Sequence, residues 1–260
     1  MTDSPGAGTL LREWRQRRHL SQLDLAIEAD VSSRHLSFIE TGRSKPTSDM
    51  ILRLAERLDV PLRERNKLLL AGGFAPAYPE RALAGPELAA VRVALARVLT
   101  GHEPYPAVIV NRHWEMIDAN ASVALLTEGA APRLLEPPVN VLRLSLHPDG
   151  MAPRIANLPQ WRAHLLNRLH HQVQATGDPV LASLHEELSG YPGGIAQHTP
   201  GAADVIVPLR YRAGTGVELS FISITAVIGT PMDVTVEELA IESFYPADDA
   251  TAAALSVDVS

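Results

Sequence analysis

Apolar residues recur three or four positions apart in two short stretches near the start of the chain, a spacing that places side chains on one helical face. The first stretch carries Leu25 and Ala29, and the second carries Leu36 and Ile39. Between them, Asp30 occupies a position where a tight turn needs a left-handed backbone, which Asp tolerates better than most residues. The pattern therefore predicts two short helices joined by a tight turn, which is the spacing of a helix-turn-helix.

Polar and small residues support the same helix boundaries. Ser21 begins the first helix, and Asp24 three positions later completes a capping box. Ser32 begins the second helix and Gly42 ends it, as is typical of helix termini. The small residue Ala26 lies where two helices must approach closely.

Further helical patterns flank this pair. The flanking helices are predicted over 8–19, 48–59 and 61–71. Residues 68–86 then shift to Gly, Ala and Pro, which is typical of a linker. We therefore expect a multidomain chain with an all-α, five-helix domain over 1–73, a linker over 74–86 and a second domain over 87–260.

The segments LREWRQRRHLSQLDLA and VSSRHLSFIETGRSKPT resemble the xenobiotic-response-element (XRE) class of helix-turn-helix regulators, over residues 8–72. In this class the second helix of the motif lies in the major groove of duplex DNA. The resemblance implies that Gln22 anchors the DNA backbone and that Arg15 and Glu40 form an internal ion pair. Asp30, where glycine is usual, departs from the pattern of the class.

The expected DNA contacts lie on the outward face of the second helix and in the segment that follows it. Arg34 is the candidate for a bidentate contact to guanine, and Phe38 is the candidate for contact with a thymine methyl group. Each single residue is equally compatible with an exposed side chain that has no fixed partner. The candidate DNA-contacting residues are Gln22, Ser32, Ser33, Arg34, Ser37, Phe38, Arg43, Ser44 and Lys45.

Beyond residue 86 the pattern mixes helices and strands. An apolar stripe predicts a helix over 86–100 that either packs in a core or forms a dimer interface; it consists of Leu88, Val91, Leu95, Val98 and Leu99. Strands are predicted within 105–119, 203–212, 217–229 and 237–248, and helices from 120, over 158–176 and over 179–189. This order indicates an α+β domain with an antiparallel sheet and helices on one face.

The strand-turn-strand followed by DANASVALL is similar to the start of a PAS-like sensor domain. The surrounding PPVNVLRLSLHPDG resembles the MmyB-like transcription regulators, which join this helix-turn-helix to a PAS-like domain, and the resemblance extends over 8–250. It implies transcriptional control and a buried pocket for a small apolar ligand, with fatty acid as the leading class. No cofactor other than such a bound ligand is expected.

Asn140, Arg143 and His147 are the polar residues expected at the mouth of such a pocket, because they lie among Leu and Val residues. Arg143 is able to hold a carboxylate bidentately, and Asn140 or His147 is able to donate a second hydrogen bond. Two alternatives stay open: Arg143 pairs with an acidic residue of the second domain, and His147 stabilises the turn of the HPDG sequence.

Composition narrows the class of protein. Hydrophobic residues make up 46% of the 260 residues, and Cys is absent, which excludes disulfides and thiolate chemistry. The net charge of −7 divides into +2 over residues 1–75 (12 basic, 10 acidic) and −9 over residues 76–260 (11 basic, 20 acidic). The chain shows neither a signal-peptide pattern nor the ~20-residue apolar run of a membrane helix. We expect a soluble, cytoplasmic protein without a membrane partner.

The sequence shows no recognisable catalytic or metal-binding motif, so we expect a regulator and not an enzyme. The predicted partners are double-stranded DNA with a pseudo-palindromic operator, a second copy of the chain in a homodimer, and a small apolar ligand. Two alternatives are an enzyme whose PAS-like body is localised by a DNA-binding module and an antitoxin-type DNA-binding protein. A catalytic set in the body would favour the first, and a disordered tail would favour the second.

Overall fold

The computed structural model describes residues 5–194, 206–214 and 216–256. Backbone contacts divide the chain into two compact units. The first unit consists of the described residues up to Gly85 together with Thr230–Glu237. The second consists of the described residues of 86–229 and those from Glu238 onward.

The first unit contains the five predicted helices. They are α1 (Ala7–Arg17), α2 (Gln22–Glu28), α3 (Ser33–Glu40), α4 (Ser48–Arg57) and α5 (Leu62–Ala71). The all-α, helix-turn-helix prediction for this part of the chain is confirmed.

Local hydrogen bonds set the ends of α2 and α3 as the sequence predicts. The Ser21 hydroxyl accepts from the Asp24 N–H at 3.1 Å, and the Asp24 carboxylate accepts from the Ser21 N–H at 3.0 Å. The Ser32 hydroxyl accepts from the N–H of residue 35 at 3.2 Å. Asp30 has a φ of +53° in the turn, and Gly42 has a φ of +73° after α3. These local interactions fix the geometry of the helix-turn-helix.

A single apolar cluster holds the five helices together, with Leu11, Leu36 and Leu54 fully buried in it. The approach of α1 to α3 is so close that a Cβ atom at Gly8 would lie 2.0 Å from the carbonyl oxygen of Ile39. Any side chain at this position would therefore force the two helices apart.

The second unit is built on a five-stranded antiparallel sheet with the strand order β2-β1-β5-β4-β3. The strands are β1 (Ala107–Val110), β2 (Met116–Ala119), β3 (Leu209–Arg212), β4 (Glu218–Val227) and β5 (Ala240–Pro246). The central strand β5 pairs with β1 on one side and with β4 on the other. Position 242 of β5 therefore lies opposite Val108 of β1 and Thr225 of β4.

Helices of the second unit pack beside this sheet. The remaining α-helices of the described residues are α6 (Ala89–Gly101), α7 (Ala124–Thr127), α8 (Val141–Leu146), α9 (Leu158–Thr176), α10 (Pro179–Ser189), α11 (Val234–Glu237) and α12 (Asp249–Ser256). Of these, α11 belongs to the first unit. α9 and α10 pack against each other, and their apolar residues share one core with the sheet; this core includes Trp161, Leu169, Leu184, Tyr211 and Phe221. The predicted α+β fold is confirmed.

Two segments lie differently from the sequence-based domain boundaries. Residues 74–85, predicted as linker, belong to the first unit, where the Asn66 amide hydrogen-bonds to the backbone of Ala77 and Tyr78. Residues 230–237, predicted within the second domain, also belong to the first unit. In both cases the placement follows backbone contacts in the folded chain, which no local sequence pattern predicts.

Apart from the start of one strand, the other predicted boundaries of helices and strands agree with the structure to within a few residues. The strand predicted over 203–212 begins at Leu209, and residues 203–205 lie outside the described part of the chain. The helices predicted over 158–176 and 179–189 have these same limits in the structure. Within the described ranges, no helix is both long enough and apolar enough to cross a bilayer.

Candidate DNA-contacting surface and ligand cavity

The outward face of α3 presents the residues that the sequence predicts to contact DNA. Leu36 and Ile39 are buried in the core, whereas Ser33 and Arg34 are exposed and Ser37 is half-buried. The amphipathic pattern of α3 therefore divides this short helix into a core-facing side and a side available to a partner.

Phe38 lies between two exposed arginines on this surface. The guanidinium carbon of Arg34 lies 5.4 Å from the ring centroid, and that of Arg43 lies 5.9 Å from it. Both distances are within the range of cation–π attraction. The half-buried ring therefore restricts two cationic side chains that the sequence assigns to base and phosphate contacts.

A buried ion pair fixes α3 against α1. Arg15 donates from Nε to Oε1 of Glu40 at 2.6 Å and from Nη2 to Oε2 at 2.8 Å. The hydrogen bond to Glu40 raises the pKa of the Arg15 guanidinium, in spite of partial burial that opposes it. The Gln22 side chain joins this network by donating from Nε2 to Oε2 of Glu40 at 2.7 Å. The predicted Arg15–Glu40 pair is therefore present, and it orients Gln22 at the start of α2.

The remaining candidate DNA contacts surround α3. Ser32 is exposed, and its hydroxyl caps the helix. The Ser44 N–H donates to the carbonyl of Phe38 at 3.0 Å, which folds the segment after α3 back toward its last turn. Lys45 is exposed. The nine candidates thus lie on α2, at the cap or on the helix of α3, or in the short segment that follows α3, and their roles as DNA contacts stay predictions.

Asn140, Arg143 and His147 do not line the apolar cavity of the second unit. The Asn140 side chain caps α8 by accepting from the Arg143 N–H at 3.0 Å. Arg143 donates to both carboxylate oxygens of Glu187, each at 2.7 Å. His147 accepts from the N–H of Asp149 at 2.9 Å. These contacts match the two alternatives that the sequence left open, and the ligand role of the three residues stays a prediction.

Arg143 and Glu187 form part of a wider group at the surface. The hydroxyl of Tyr191 also donates to Glu187, and its pKa is raised to about 12 by burial first and then by the Glu187 carboxylate. The Glu187 pKa is lowered, chiefly by the hydrogen bond from Arg143. Arg143 is therefore already neutralised by a protein carboxylate.

The second unit contains an apolar cavity of about 60 Å³ between the sheet and its helices. Most of its lining is aliphatic or aromatic, including Met116, Leu144, Met151, Trp161 and Phe244. The polar lining residues, among those described, are Thr127, Ser145, Arg168 and Glu242. The composition is that of a small-molecule site, although such sites commonly measure ~300–1,000 Å³. A long ligand would therefore have to displace side chains from the cavity.

Arg168 of α9 and Glu242 of β5 form the charged end of this cavity. Arg168 donates to the two oxygens of Glu242 at 3.0 Å each, and its guanidinium lies 4.4 Å from the ring centroid of Trp114. The hydroxyls of Ser223 and Thr225 also donate to the carboxylate. Burial raises the pKa of Glu242, but these hydrogen bonds and the Arg168 charge outweigh burial and lower it overall.

Sequence reasoning did not identify this pair. The available signals were one of two arginines in the helix pattern of 158–176 and a single glutamate in the apolar strand sequence AIESFYP. Because 74 positions separate Arg168 and Glu242, only the packing of α9 on the sheet shows that they meet. In the described ranges, no group of three or more His, Asp or Glu side chains is placed to hold a metal ion.

The geometry and the family comparisons agree on the class of protein. The helix-turn-helix, the α+β unit and two family matches together support a DNA-binding transcription regulator with a ligand-binding domain. The helix-turn-helix family matches residues 11–65, and the family described as MmyB-like transcription regulator ligand binding domain matches residues 91–257. The chain therefore belongs to the MmyB-like transcription regulators.

Solved structures show only distant similarity. Two crystal structures of the clp gene regulator ClgR from Corynebacterium glutamicum are each 24% identical to this chain, with a TM-score of 0.23. The first match covers 26% of this chain and 83% of the ClgR chain, and the second covers 38% of this chain and 90% of the ClgR chain. An RNA-binding light-oxygen-voltage receptor is 10% identical with a TM-score of 0.29, covering 96% of this chain and 62% of its own. Among curated proteins there is no significant match. The classification therefore rests on the two family matches.

Proposed function

We propose that this regulator binds specific duplex sequences by placing α3 in the major groove, and that a small apolar ligand in the second unit modulates this binding. The observation that carries the first part is the exposed Arg34 on α3, restricted by the ring of Phe38. A restricted guanidinium loses less side-chain entropy when it forms the bidentate contact to guanine. The segment from Arg43 to Lys45 adds cationic groups suited to phosphates.

Replacing Arg34 with alanine should weaken binding to the preferred duplex by about 1–3 kcal/mol and relax the preference at one base pair, because one base contact is lost. Lys45→Ala should instead weaken binding to all sequences about equally. Titration of each variant against the preferred duplex and a random duplex by fluorescence anisotropy measures both effects. Equal losses on the two duplexes for Arg34→Ala would remove this residue from base recognition.

We further propose that the protein binds a pseudo-palindromic operator as a homodimer. One recognition helix contacts only a few base pairs, and a two-fold dimer with half-sites about one helical turn apart multiplies that specificity. The exposed side chains of Val93 and Val98 on α6 support an interface on this helix. Sedimentation should show a dimer on the operator; a monomer both free and on DNA would contradict the proposal.

For the ligand, we propose a medium- or long-chain fatty acid or a similar amphiphile. The apolar lining of the cavity supports this class, and the family that matches this part of the chain is described as a ligand-binding domain without naming the ligand. Each buried methylene contributes about 0.8 kcal/mol, so the chain of the ligand dominates the affinity. Met116 and Met151 have flexible side chains suited to enlarging the cavity around such a chain.

A pair of variants tests whether the ligand carboxylate lies at the charged end of the cavity or at Arg143. If the carboxylate lies at the charged end of the cavity, the double variant Arg168→Met/Glu242→Leu should lose the preference for dodecanoate over dodecanol, whereas Arg143→Leu should retain it. The double replacement avoids leaving one buried charge unpaired. Calorimetry on delipidated protein measures the preference. The opposite result would place the head group at Arg143, and an absence of binding by both compounds would contradict the proposed ligand class.

A further inference from the structure

The connection between β4 and β5 leaves the second compact unit and packs in the first. Residues Thr230–Glu237, which we name the crossover segment, leave the sheet after β4 and return to it at β5. They nevertheless belong to the same compact unit as the helix-turn-helix. A simple hairpin needs only a few residues to join two antiparallel strands, whereas the connection from Val227 to Ala240 is longer and packs in the other unit.

The crossover segment caps α5 of the first unit. Pro61 precedes this helix and has no side-chain oxygen to accept from its first N–H groups. The carboxylate of Glu237 takes this role, because Oε2 accepts from the Leu62 N–H at 2.8 Å. A carboxylate at this end of a helix also interacts favourably with the helix dipole. The N-terminal cap of α5 therefore comes from a residue 175 positions away.

Further hydrogen bonds attach the crossover segment to the chain after α5. The N–H of Val234 donates to the carbonyl of Pro79 at 2.9 Å, and the Thr235 hydroxyl donates to the carbonyl of Arg81 at 2.6 Å. Arg81 donates to Asp233 at 3.1 Å. Asp233 and Val234 are buried, so these contacts are not those of a loosely associated surface loop.

We infer that the crossover segment acts as an intramolecular binding partner of the unit that contains the helix-turn-helix. The fold around α5 is complete only when pairing of β4 with β5 places Glu237 and Asp233 against the chain at α5 and after it. Pairing of β4 with β5 holds both ends of the segment and thereby raises its effective concentration at α5. α5 in turn packs against α1 and α4. Only two residues separate Glu237 from β5, which carries Glu242 of the cavity. Residues 230–237, which lie within the range that the ligand-binding-domain family matches, thus contribute directly to the stability of the unit that contains the helix-turn-helix.

The test uses the full chain and needs neither the operator nor the ligand. Trp14 lies in the first unit, and Trp114 and Trp161 lie in the second. Incorporation of 5-fluorotryptophan therefore gives ¹⁹F resonances that report the thermal unfolding of each unit separately. Amide hydrogen exchange at Leu62 reports the capped turn of α5 directly. The test variant is Asp233→Asn/Glu237→Ala, and the control is Glu56→Ala, which removes an exposed carboxylate of α4.

In the test variant, exchange at Leu62 should accelerate about fivefold or more, the loss expected for a helix cap. The Trp14 transition should move to lower temperature, while the Trp114 and Trp161 transitions stay in place. Glu237→Gln should retain part of the protection, because its amide oxygen still accepts from Leu62. Results for the test variant equal to those of Glu56→Ala would overturn the inference, as would an equal shift of all three resonances.

Discussion

Replacing Arg15 with alanine should lower the free energy of unfolding of the first unit by about 3–5 kcal/mol, because it leaves the carboxylate of Glu40 buried without its cationic partner. The Glu40 side chain is only 1% exposed, so water cannot replace the lost guanidinium. Gln22 would remain as a neutral donor to this carboxylate. We therefore expect partial loss of the folded helix-turn-helix and, with it, loss of DNA binding.

The matched control is Arg12→Ala, which removes an exposed arginine from the same helix. Urea unfolding followed by the ¹⁹F resonance of fluorinated Trp14 measures both variants, and Arg12→Ala should change the free energy by less than about 0.5 kcal/mol. Similar losses for the two variants would show that overall charge, and not the buried pair with Glu40, explains the effect.

Replacing Glu242 with alanine should also lower the free energy of unfolding, in this case that of the second unit. This change leaves the guanidinium of Arg168 without its carboxylate and the hydroxyls of Ser223 and Thr225 without their acceptor. Breaking a buried pair in this way should cost about 3–5 kcal/mol. Partial exposure of Arg168, whose side chain is 24% accessible, favours the lower end of this range.

The effect of Glu242→Ala should depend on pH. The pKa of Glu242 is lowered from its ordinary value of 4.5, so its contribution to stability is fully present above about pH 4.5 and is lost as pH falls through the folded-state pKa. The difference in unfolding free energy between wild type and Glu242→Ala should therefore narrow in acid. Urea unfolding followed by the ¹⁹F resonance of Trp161 measures it; a difference that stays constant through this range would contradict the assigned ionisation.

The sequence predicts the helix-turn-helix well because its determinants are local. The cap at Ser21, the left-handed turn at Asp30 and the stop at Gly42 each depend on residues within a few positions. The Arg15–Glu40 pair is long-range, but the family resemblance supplies it. The limits of α9 and α10 also agree with the prediction, because the apolar pattern and the residues that end each helix are local features of the sequence.

The charged end of the cavity and the crossover segment depend on tertiary packing and have no local pattern. Arg143 lies within an apolar stretch of the sequence, yet in the fold it pairs with Glu187. Arg168 is placed beside the cavity by α9, and Glu242 by the central strand of the sheet. Glu237 likewise meets Leu62 only because the segment between β4 and β5 packs in the first unit.

Selection of duplexes from a random-sequence library on the full-length protein tests the central proposal most directly, because sequence-specific binding is what α3 is proposed to provide. We predict enrichment of a pseudo-palindromic motif whose half-sites lie about one helical turn apart, with one strongly preferred base pair in each half-site that Arg34→Ala no longer selects. Recovery of duplexes with no preference over the starting library would contradict the proposed function.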